Sequence, residues 1–226
     1  MVVRLHNLSA RPPVLGDLKA VTKLMVACER ADVGVANISE EEMENNWQAS
    51  GFTLRTDAWV IVTNRGQVVG YADVRQSGEH EFTSLLRVHP GYLGRGIGTL
   101  LVWLTEERAR QLMYTLPLDQ RVTLVNVVSS RNVLAQHLLE REGYMPVHQH
   151  WSLLTQAEED VDVPHYHRKQ LTADLVIDVH NVPATQYQVA RTGIYTVHQY
   201  HVFEKELRTG ETLPILHIPE TQCVSV

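Results

Sequence analysis

The stretch Val88-His-Pro-Gly-Tyr-Leu-Gly-Arg-Gly-Ile-Gly98 decides how this chain is expected to fold. The apolar run from Phe82 to Val88 predicts a buried strand before it, and residues 99–109 have the composition of a helix. A glycine-rich turn in this position leaves the first N–H groups of the helix without internal partners, at the positive end of the helix dipole. The arrangement therefore predicts an anion site, to which Arg95 adds a positive charge.

The spacing of the three glycines at 94, 96 and 98 narrows the kind of anion. It is wrong for a dinucleotide fingerprint, Gly-x-Gly-x-x-Gly, and for a Walker loop, which ends in Gly-Lys-Ser/Thr. The string resembles the acetyl-CoA motif of the GNAT superfamily of N-acetyltransferases, Gln/Arg-x-x-Gly-x-Gly/Ala, with Gly96 and Gly98 at its last two fixed positions. Leu93 stands where that family usually has Gln or Arg. Because any residue supplies a main-chain N–H, this departure leaves the predicted anion site intact.

A second motif lies downstream, between residues 125 and 144. It resembles the same family's Asn-x-x-Ala-x-x-Leu-Tyr-x-x-x-Gly-Phe, and its matching positions are Asn132, Ala135, Leu138 and Gly143, with Tyr144 in place of the phenylalanine. The resemblance implies that Asn132 hydrogen-bonds the pantetheine or phosphate part of CoA. The family's tyrosine usually protonates the departing thiolate, but Leu139 occupies its position here. Tyr144, Tyr114 and water are the alternatives for that proton.

Hydrophobic periodicity predicts the element order β-α-α-β-β-β-α-β-α-β over residues 1–155, which is also the GNAT order. The predicted strands are 2–8, 57–63, 67–74, 81–88, 121–128 and 145–154. The predicted helices are 17–31, 39–48, 99–109 and a fourth capped by Ser130, with Ser39 and Glu42 as a capping box for the second. We therefore expect a mixed α/β GNAT fold: a central, twisted, mostly antiparallel sheet flanked by helices, with a C-terminal β-rich extension.

Residues 156–226 are predicted to form that extension, separate from an acetyltransferase domain at 1–155. An acidic linker at 156–163 precedes apolar runs that predict strands at 175–180, 195–203 and 213–218. Residues 136–150 also resemble 186–200 without a gap, which indicates either a degenerate half-repeat from a tandem ancestor or chance similarity. The extension would cover an edge strand or pair with another subunit to form a homodimer.

The resemblance also implies which residues bind acetyl-CoA and which assist the chemistry. The pyrophosphate would lie on the N–H groups of the glycine loop, and the pantetheine would lie along the strand that precedes it. The predicted cofactor-binding residues are Leu86, Val88, Leu93, Gly94, Arg95, Gly96, Ile97, Gly98, Thr99, Asn132 and Ala135. Acetyl transfer also needs a group that deprotonates the amine. Glu81 is the candidate general base, with Glu79 and His80 as alternatives and a solvated strand end as the purely structural interpretation.

Composition excludes several classes of function. Lys and Arg number 20 against 26 Asp and Glu, a net charge of −6, which disfavours nucleic acid and anionic membranes as partners. Cys28 and Cys223 lack metal or redox spacing, and the first residues lack a long apolar run. The strand histidine pairs 148/150 and 165/167 have no third ligand beside them, so we expect no metal. These observations favour a cytoplasmic protein with reduced thiols and no membrane span.

Together, these features predict an enzyme that moves acetyl from acetyl-CoA to a primary amine of a small molecule. Direct attack in a ternary complex is expected, since no Cys or Ser has an activating partner nearby. The acidic helix at 39–48 would border the acceptor pocket of a GNAT fold and favour a cationic acceptor. Two alternatives stay open: a protein or peptide N-acetyltransferase, and a CoA-binding or assembly module that has lost catalysis, which Leu93 and Leu139 favour.

Overall fold

The computed structural model describes residues 3–5, 7–34, 36, 38–154, 172–178 and 196–210. Its strands are β1 (Val3–Leu5), β2 (Leu8–Arg11), β3 (Ala58–Thr63), β4 (Val68–Gln76), β5 (Glu81–Val88), β6 (Val122–Ser129), β7 (Met145–Leu154), β8 (Thr172–Asp178) and β9 (Thr196–Arg208). Its helices are α1 (Leu18–Val33), α2 (Glu40–Trp47), α3 (Leu54–Asp57), α4 (Ile97–Met113) and α5 (Val133–Arg141). Short 3₁₀ turns lie at Leu15–Asp17 and Pro90–Tyr92.

All described strands belong to one nine-stranded sheet, in the order β1-β2-β3-β4-β5-β6-β9-β7-β8. Neighbouring strands are antiparallel except β5 and β6, which run parallel. The parallel pairing extends from Glu81 opposite Thr123 to Ser84 opposite Asn126 and stops there, although both strands continue. The two strands therefore part beyond Ser84 and Asn126, and we call the gap between them the cleft. The expected mixed fold with a mostly antiparallel sheet is confirmed.

Helices cover both faces of the sheet. On one face α1 and α2 bury apolar side chains at helical spacing, including Val21, Leu24, Met25, Met43 and Trp47, against β3 and β4. On the other face α4 packs Ile97, Leu101, Val102 and Ala109 against the sheet. Residues of β5 alternate between the two layers, with Leu85 on the α1 face and Leu86 on the α4 face. The cleft thus opens between two helical layers.

Strand β9 lies inside the sheet, hydrogen-bonded to β6 on one side and to β7 on the other. Lys205 ties it to both helices of the α4 face, with Nζ 2.7 Å from Glu106 Oε1 and 2.6 Å from the Glu142 carbonyl oxygen. This strand comes from the segment that the sequence assigns to an extension, and it is longer than predicted. The predicted linker and the predicted strand at 213–218 lie outside the described residues. The division of the chain at residue 155 stays a prediction.

Several local predictions were wrong. Residues 2–8 do not form one strand, because Asn7 (φ 63°) turns the chain back and Val3 pairs with Ala10. Asn132, not Ser130, caps α5, with Oδ1 accepting from the Ala135 N–H at 3.1 Å. The four-residue spacing of Glu106 and Arg110 predicts that both lie on the outer face of α4, but Glu106 is only 5 % exposed, because Lys205 of β9 covers it. The predicted cap of α2 is confirmed in part, since Ser39 Oγ accepts from the Glu42 N–H.

Candidate active site

The glycine loop presents a row of unused main-chain donors. Gly94 and Gly96 have φ values of 74° and 76°, a left-handed conformation that glycine adopts without strain, and α4 begins directly after Gly96. Among the described residues, no group accepts a hydrogen bond from the N–H groups of Leu93–Thr99; the first paired amide is that of Leu100, which donates to the Gly96 carbonyl. These donors lie at the positive end of the α4 dipole, so the loop can bind a phosphate or pyrophosphate.

Close packing of α5 on α4 places the last turns of α5 beside the N-terminus of α4, where Arg141 Nη2 donates to Thr99 Oγ1 at 2.7 Å. A Cβ placed on Gly98 would lie 2.7 Å from Leu138 Cδ2, so any larger residue would require the Leu138 side chain to shift. At Gly94 and Gly96, by contrast, a Cβ would meet no atom within 4 Å. The space in front of the loop is therefore open, and the space behind it is filled by α5.

Arg95 faces away from the cleft. Its guanidinium carbon lies 4.8 Å from the ring centroid of Tyr92. Both residues line a surface cavity of about 670 Å³ together with Arg65 and Gln67 of the β3–β4 turn. Because β4 separates β3 from β5 in the sheet, this cavity lies on the opposite side of the loop from the cleft. The cavity is therefore no continuation of the cleft, and the positive charge of Arg95 is directed towards it.

The backbone of β5 offers further polar groups to the cleft. The His89 N–H donates to the Val69 carbonyl of β4, so the alternation of an antiparallel ladder directs the backbone groups of Leu86 and Val88 towards β6. Beyond Ser84 no β6 backbone group pairs with them. The Leu86 carbonyl accepts from Arg87 Nη1 at 2.9 Å, and the Val88 carbonyl accepts from Cys28 Sγ at 3.3 Å. This edge can bind an extended chain that carries amide groups.

Asn132 bridges two helix ends next to the cleft. While its Oδ1 caps α5, its Nδ2 lies 3.1 and 3.3 Å from the two carboxylate oxygens of Asp32 near the end of α1. The N–H of Ala135 is already used by this cap. The structure thus brings Asn132 and Ala135 close to the start of α5, with the Asn132 amide shared between the cap and Asp32.

Glu81 lies away from this assembly. It is exposed at the first residue of β5, and its Oε1 accepts from Ser77 Oγ at 2.8 Å. Five residues of strand separate it from Leu86, a distance of about 17 Å at ~3.3 Å per residue. The alternatives Glu79 and His80 belong to the turn before β5, 3.9 Å apart, at the same end of the strand. The structure does not bring any of these side chains to the glycine loop.

Tyr114 and Tyr144, the two tyrosines predicted as alternative acids, lie at different depths in the structure. Tyr114 ends α4, so it lies about 25 Å from the glycine loop at ~1.5 Å rise per residue. Tyr144 is 1 % exposed, like Leu139 in the core of the α4 face. Burial raises the pKa of the Tyr144 hydroxyl, and the nearby Glu106 carboxylate raises it further. The Tyr144 hydroxyl therefore stays protonated and is a weak acid.

A group of polar and charged side chains on the α1 face of the cleft was not predicted from the sequence. We call it the acceptor-side cluster: Cys28, Glu29 and Asp32 of α1, Arg87 of β5 and Tyr200 of β9. Burial raises the pKa of Cys28 to about 11, with Arg87 opposing that rise and Asp32 and Glu29 adding to it. Burial also raises the pKa of Tyr200, and the charges of Glu29, Arg87 and Asp32 all act on it. The sequence alone predicts that Glu29 and Asp32, three residues apart, lie on one side of a helix. It does not predict that they come near a strand at the other end of the chain.

The described residues were compared with two kinds of structural requirement, a metal site and a membrane span. They contain no group of three or more His, Cys, Asp or Glu side chains placed to hold a metal ion. In the same part of the chain, no helix has both the length and the apolar composition needed to cross a membrane.

Solved structures with a similar fold include three that cover nearly the whole chain. A GCN5-related N-acetyltransferase from Sphaerobacter thermophilus matches with a TM-score of 0.77 and 20 % identity, over 93 % of this chain and 99 % of its own. The yncA structure from Salmonella typhimurium, which contains acetyl-CoA, has a TM-score of 0.58 and 14 % identity over 92 % and 98 %. A phosphinothricin acetyltransferase from Sinorhizobium meliloti in complex with acetyl-CoA has a TM-score of 0.53 and 18 % identity, over 95 % of this chain and 97 % of its own.

The sequence comparisons give the family. No curated protein matches this chain. The family model described as "Acetyltransferase (GNAT) family" matches residues 20–144, more than half of the chain, and this range includes the glycine loop, the cleft and α5. The protein therefore belongs to the GNAT family of acetyltransferases.

Proposed function

We propose that this protein transfers an acetyl group from acetyl-CoA to a primary amine of a small molecule, by direct attack in a ternary complex. The observation that carries the proposal is the row of unused N–H groups at Leu93–Thr99, at the mouth of the gap between β5 and β6. A diphosphate anion fits the row of N–H groups, and an extended chain that carries amide groups fits the gap between β5 and β6. CoA combines the two.

The residues present fit acetyl-CoA in a specific way. The N–H groups of Leu93–Thr99 would hold the pyrophosphate, and the cleft-facing groups of Leu86 and Val88 would pair with the pantetheine amides. Asn132 would contribute its Nδ2, which Asp32 holds in the free protein. Acetyl-CoA supplies the activated thioester carbonyl. The ammonium first loses one proton to the solvent, and the amine nitrogen then bonds to that carbon as the carbon–sulfur bond breaks. The nitrogen loses a second proton, and the sulfur takes up one, so that CoA departs as the thiol.

The state of Cys28 supports direct attack. Cys28 is buried, its Sγ donates to the Val88 carbonyl, and its pKa is raised to about 11. Only a thiolate is a good nucleophile, so at neutral pH this cysteine would not accept the acetyl group. The amine of the acceptor is then the group that attacks the thioester.

Proton transfers would rely on water. Leu139 has no proton to give, and a Tyr144 phenolate beside the Glu106 carboxylate would be strongly disfavoured. A CoA thiolate with an ordinary thiol pKa of about 8.5 can take its proton from solvent. Glu81 stays the predicted base, and at about 17 Å from Leu86 it would act through a chain of several waters. On this proposal Glu81→Gln lowers kcat with little change in the KM for acetyl-CoA.

The competing reading, a CoA-binding module without catalysis, is favoured by the replacement of the family's tyrosine with the buried Leu139. Thiol release distinguishes it from the proposal. Purified protein would be incubated with acetyl-CoA and panels of free amines and short peptides, and free CoA would be measured. Release above background with free amines supports the proposal. Release with peptides alone indicates a peptide acetyltransferase, and no release together with CoA-induced thermal stabilisation indicates the binding module.

A further inference from the structure

A second site of positive charge lies beside the glycine loop, in the cavity of about 670 Å³ that Arg95 faces. The cavity lies where the β1–β2 and β3–β4 turns meet the residues before α4, and the Asn64 N–H joins the two turns by donating to the Asn7 carbonyl at 3.1 Å. Gly66, with a φ of 79°, closes the second turn by donating its N–H to the Thr63 carbonyl. The walls of the cavity are therefore held by main-chain hydrogen bonds.

Tyr92 fixes the wall that the loop contributes. Its hydroxyl donates to Gln67 Oε1 of the β3–β4 turn at 3.3 Å, and the Arg95 guanidinium carbon lies 4.8 Å from the centre of its ring. The His89 ring meets the Tyr92 ring edge-on, with centroids 5.7 Å apart. A continuous chain of contacts thus runs from the loop to the turn that carries Arg65, and both guanidinium groups line the same cavity.

The two guanidinium groups lack a partner carboxylate. Arg75, Arg108 and Arg121 each pair with one, at 3.1, 2.8 and 2.7 Å respectively. Arg65 and Arg95 are exposed, and neither forms an ion pair with any residue in the described ranges. None of the described residues that line the cavity is acidic, although the whole chain has a net charge of −6. The cavity is therefore a local concentration of positive charge on an acidic protein.

The charge and the donors of the cavity fit a phosphate monoester. Such a group carries a charge of about −1.5 to −2 at neutral pH, which matches two guanidinium groups better than the single charge of a carboxylate does. Each guanidinium presents paired N–H donors that suit two phosphate oxygens. The side-chain amides of Asn64 and Gln67 add neutral donors, which suit hydroxyl groups. The volume of about 670 Å³ exceeds that of a bare phosphate and lies in the range of small-molecule sites.

We propose that this cavity is a second ligand site, which binds a small phosphate monoester with a hydroxyl-bearing body, as in a sugar phosphate. The inference goes beyond the proposed function, because acetyl transfer in the cleft does not use the cavity. The phosphate binds Arg65 and Arg95, and the body of the ligand lies against the amide side chains of the β3–β4 turn. Because Arg95 lies between Gly94 and Gly96, the ligand is held next to the CoA site without entering it.

Calorimetric titration of glucose 6-phosphate into protein saturated with CoA tests the site. CoA occupies the N–H groups of the glycine loop, so any phosphate binding that is left takes place elsewhere. We expect one site with a dissociation constant of about 1 mM or tighter, as two charge-assisted contacts would give. Glucose, which lacks the phosphate, should not bind. If glucose 6-phosphate, glycerol 3-phosphate and inorganic phosphate all fail to bind, the inference is overturned.

Variants assign the binding to the cavity. Arg65→Met should weaken the affinity for glucose 6-phosphate by about 10-fold or more, the effect of one lost charge-assisted contact. Arg65→Lys should recover part of the loss, since lysine keeps the charge but not the fork. Arg55→Met, at an exposed position of α3 outside the cavity, is the matched control and should behave as wild type. Equal affinities in wild type and Arg65→Met would overturn the inference.

CoA carries a phosphate monoester of its own, and a comparison with dephospho-CoA separates the two sources. A separate ligand site predicts that Arg65→Met binds CoA as tightly as wild type does. If Arg65→Met instead loses about 10-fold in affinity for CoA and nothing for dephospho-CoA, the cavity holds the phosphate of CoA. That result would overturn the inference and leave the proposed function standing. If wild type binds neither form of CoA, the proposed function fails, and titration of wild type and Arg65→Met without CoA still decides the inference.

Discussion

The two sides of the cleft are built in opposite ways. On one side the glycine loop is continuous in the chain, and its binding groups are main-chain N–H groups between Leu93 and Thr99. On the other side the acceptor-side cluster combines residues of α1, β5 and β9, from Cys28 to Tyr200. Its polar groups are side chains. A cofactor common to a family can be held by backbone, whereas an acceptor that differs between members must be selected by side chains.

This difference explains why one departure from the family motif matters less than another. Leu93 replaces a polar residue in the loop, but the amide it contributes is that of any residue. Leu139 replaces a side chain whose function was its hydroxyl, and nothing in the backbone can substitute for that. Variants of the glycine loop should therefore act through backbone conformation. Variants elsewhere in the chain should act through the side-chain contact that they remove.

The largest expected effect tests the loop. Gly96→Val places a β-branched side chain at a φ of 76° and directs it into the space in front of the N–H groups. Loss of two or more charge-assisted hydrogen bonds should weaken CoA binding by about 100-fold or more. Calorimetric titration with CoA measures the affinity, and the CoA-induced rise in melting temperature should disappear.

Gly66→Val is the matched control for that variant. Gly66 has a φ of 79°, and a Cβ there would also meet no atom within 4 Å, but it lies in the turn between β3 and β4. Both variants should lose about 1–2 kcal/mol of stability from the left-handed conformation. Only Gly96→Val should lose CoA. If both bind CoA as wild type does, the pyrophosphate site is not this loop.

The next effect tests how strongly Lys205 holds β9 against α4. Lys205→Met removes the Nζ contact with Glu106 and leaves Arg110, 3.1 Å away, as the remaining cation of that carboxylate. We expect a loss of about 2 kcal/mol in the free energy of unfolding, because Glu106 is nearly buried. Urea denaturation measures it. Arg141→Met, which removes an exposed ion pair with Glu142, should cost less than about 0.5 kcal/mol. Equal costs would show that Lys205 does not stabilise β9 in the sheet.

A smaller effect tests whether packing against Leu138 of α5 disfavours a larger residue at position 98. Gly98→Ala should destabilise the protein by about 1 kcal/mol, since the clash with Leu138 exceeds the gain in helix propensity. In a Leu138→Ala background the same change should stabilise it by about 0.5 kcal/mol, since only the propensity gain is left. A double-mutant cycle by thermal unfolding gives the coupling. Additive effects would mean that α5 does not restrict residue 98.

The smallest expected effect concerns the contact between Arg11 and Asp17, which are close in the sequence and remote from the cleft. Arg11 binds Asp17 through two hydrogen bonds of 2.6 and 2.8 Å, which lower the pKa of that carboxyl. A lowered pKa contributes stability above the unfolded value of about 3.9, and this contribution is lost as pH falls through the folded pKa. Asp17→Asn should cost about 0.5 kcal/mol at pH 7, and the difference from wild type should vanish in acid. A constant difference from pH 7 to pH 2 would contradict the linkage, and CoA affinity should not change.

The sequence predicted much of the fold because most of its signals act within a few residues. The apolar spacing in α1, the Ser39 cap and the glycine loop each involve neighbours in the chain, and all three are present. The errors have a common physical cause. A turn at Asn7 depends on one left-handed residue, and the burial of Glu106 depends on a strand about 100 residues later.

By itself, the sequence determined the family, the element order and the position of the glycine loop, since backbone conformation at glycines and a helix terminus follow from local chemistry. Only the tertiary structure decided that β5 and β6 part beyond Ser84, that β9 lies between β6 and β7, and that Lys205 of β9 covers Glu106 of α4. Strand pairing and charge clusters join residues far apart in the chain, and no local pattern encodes which of them meet.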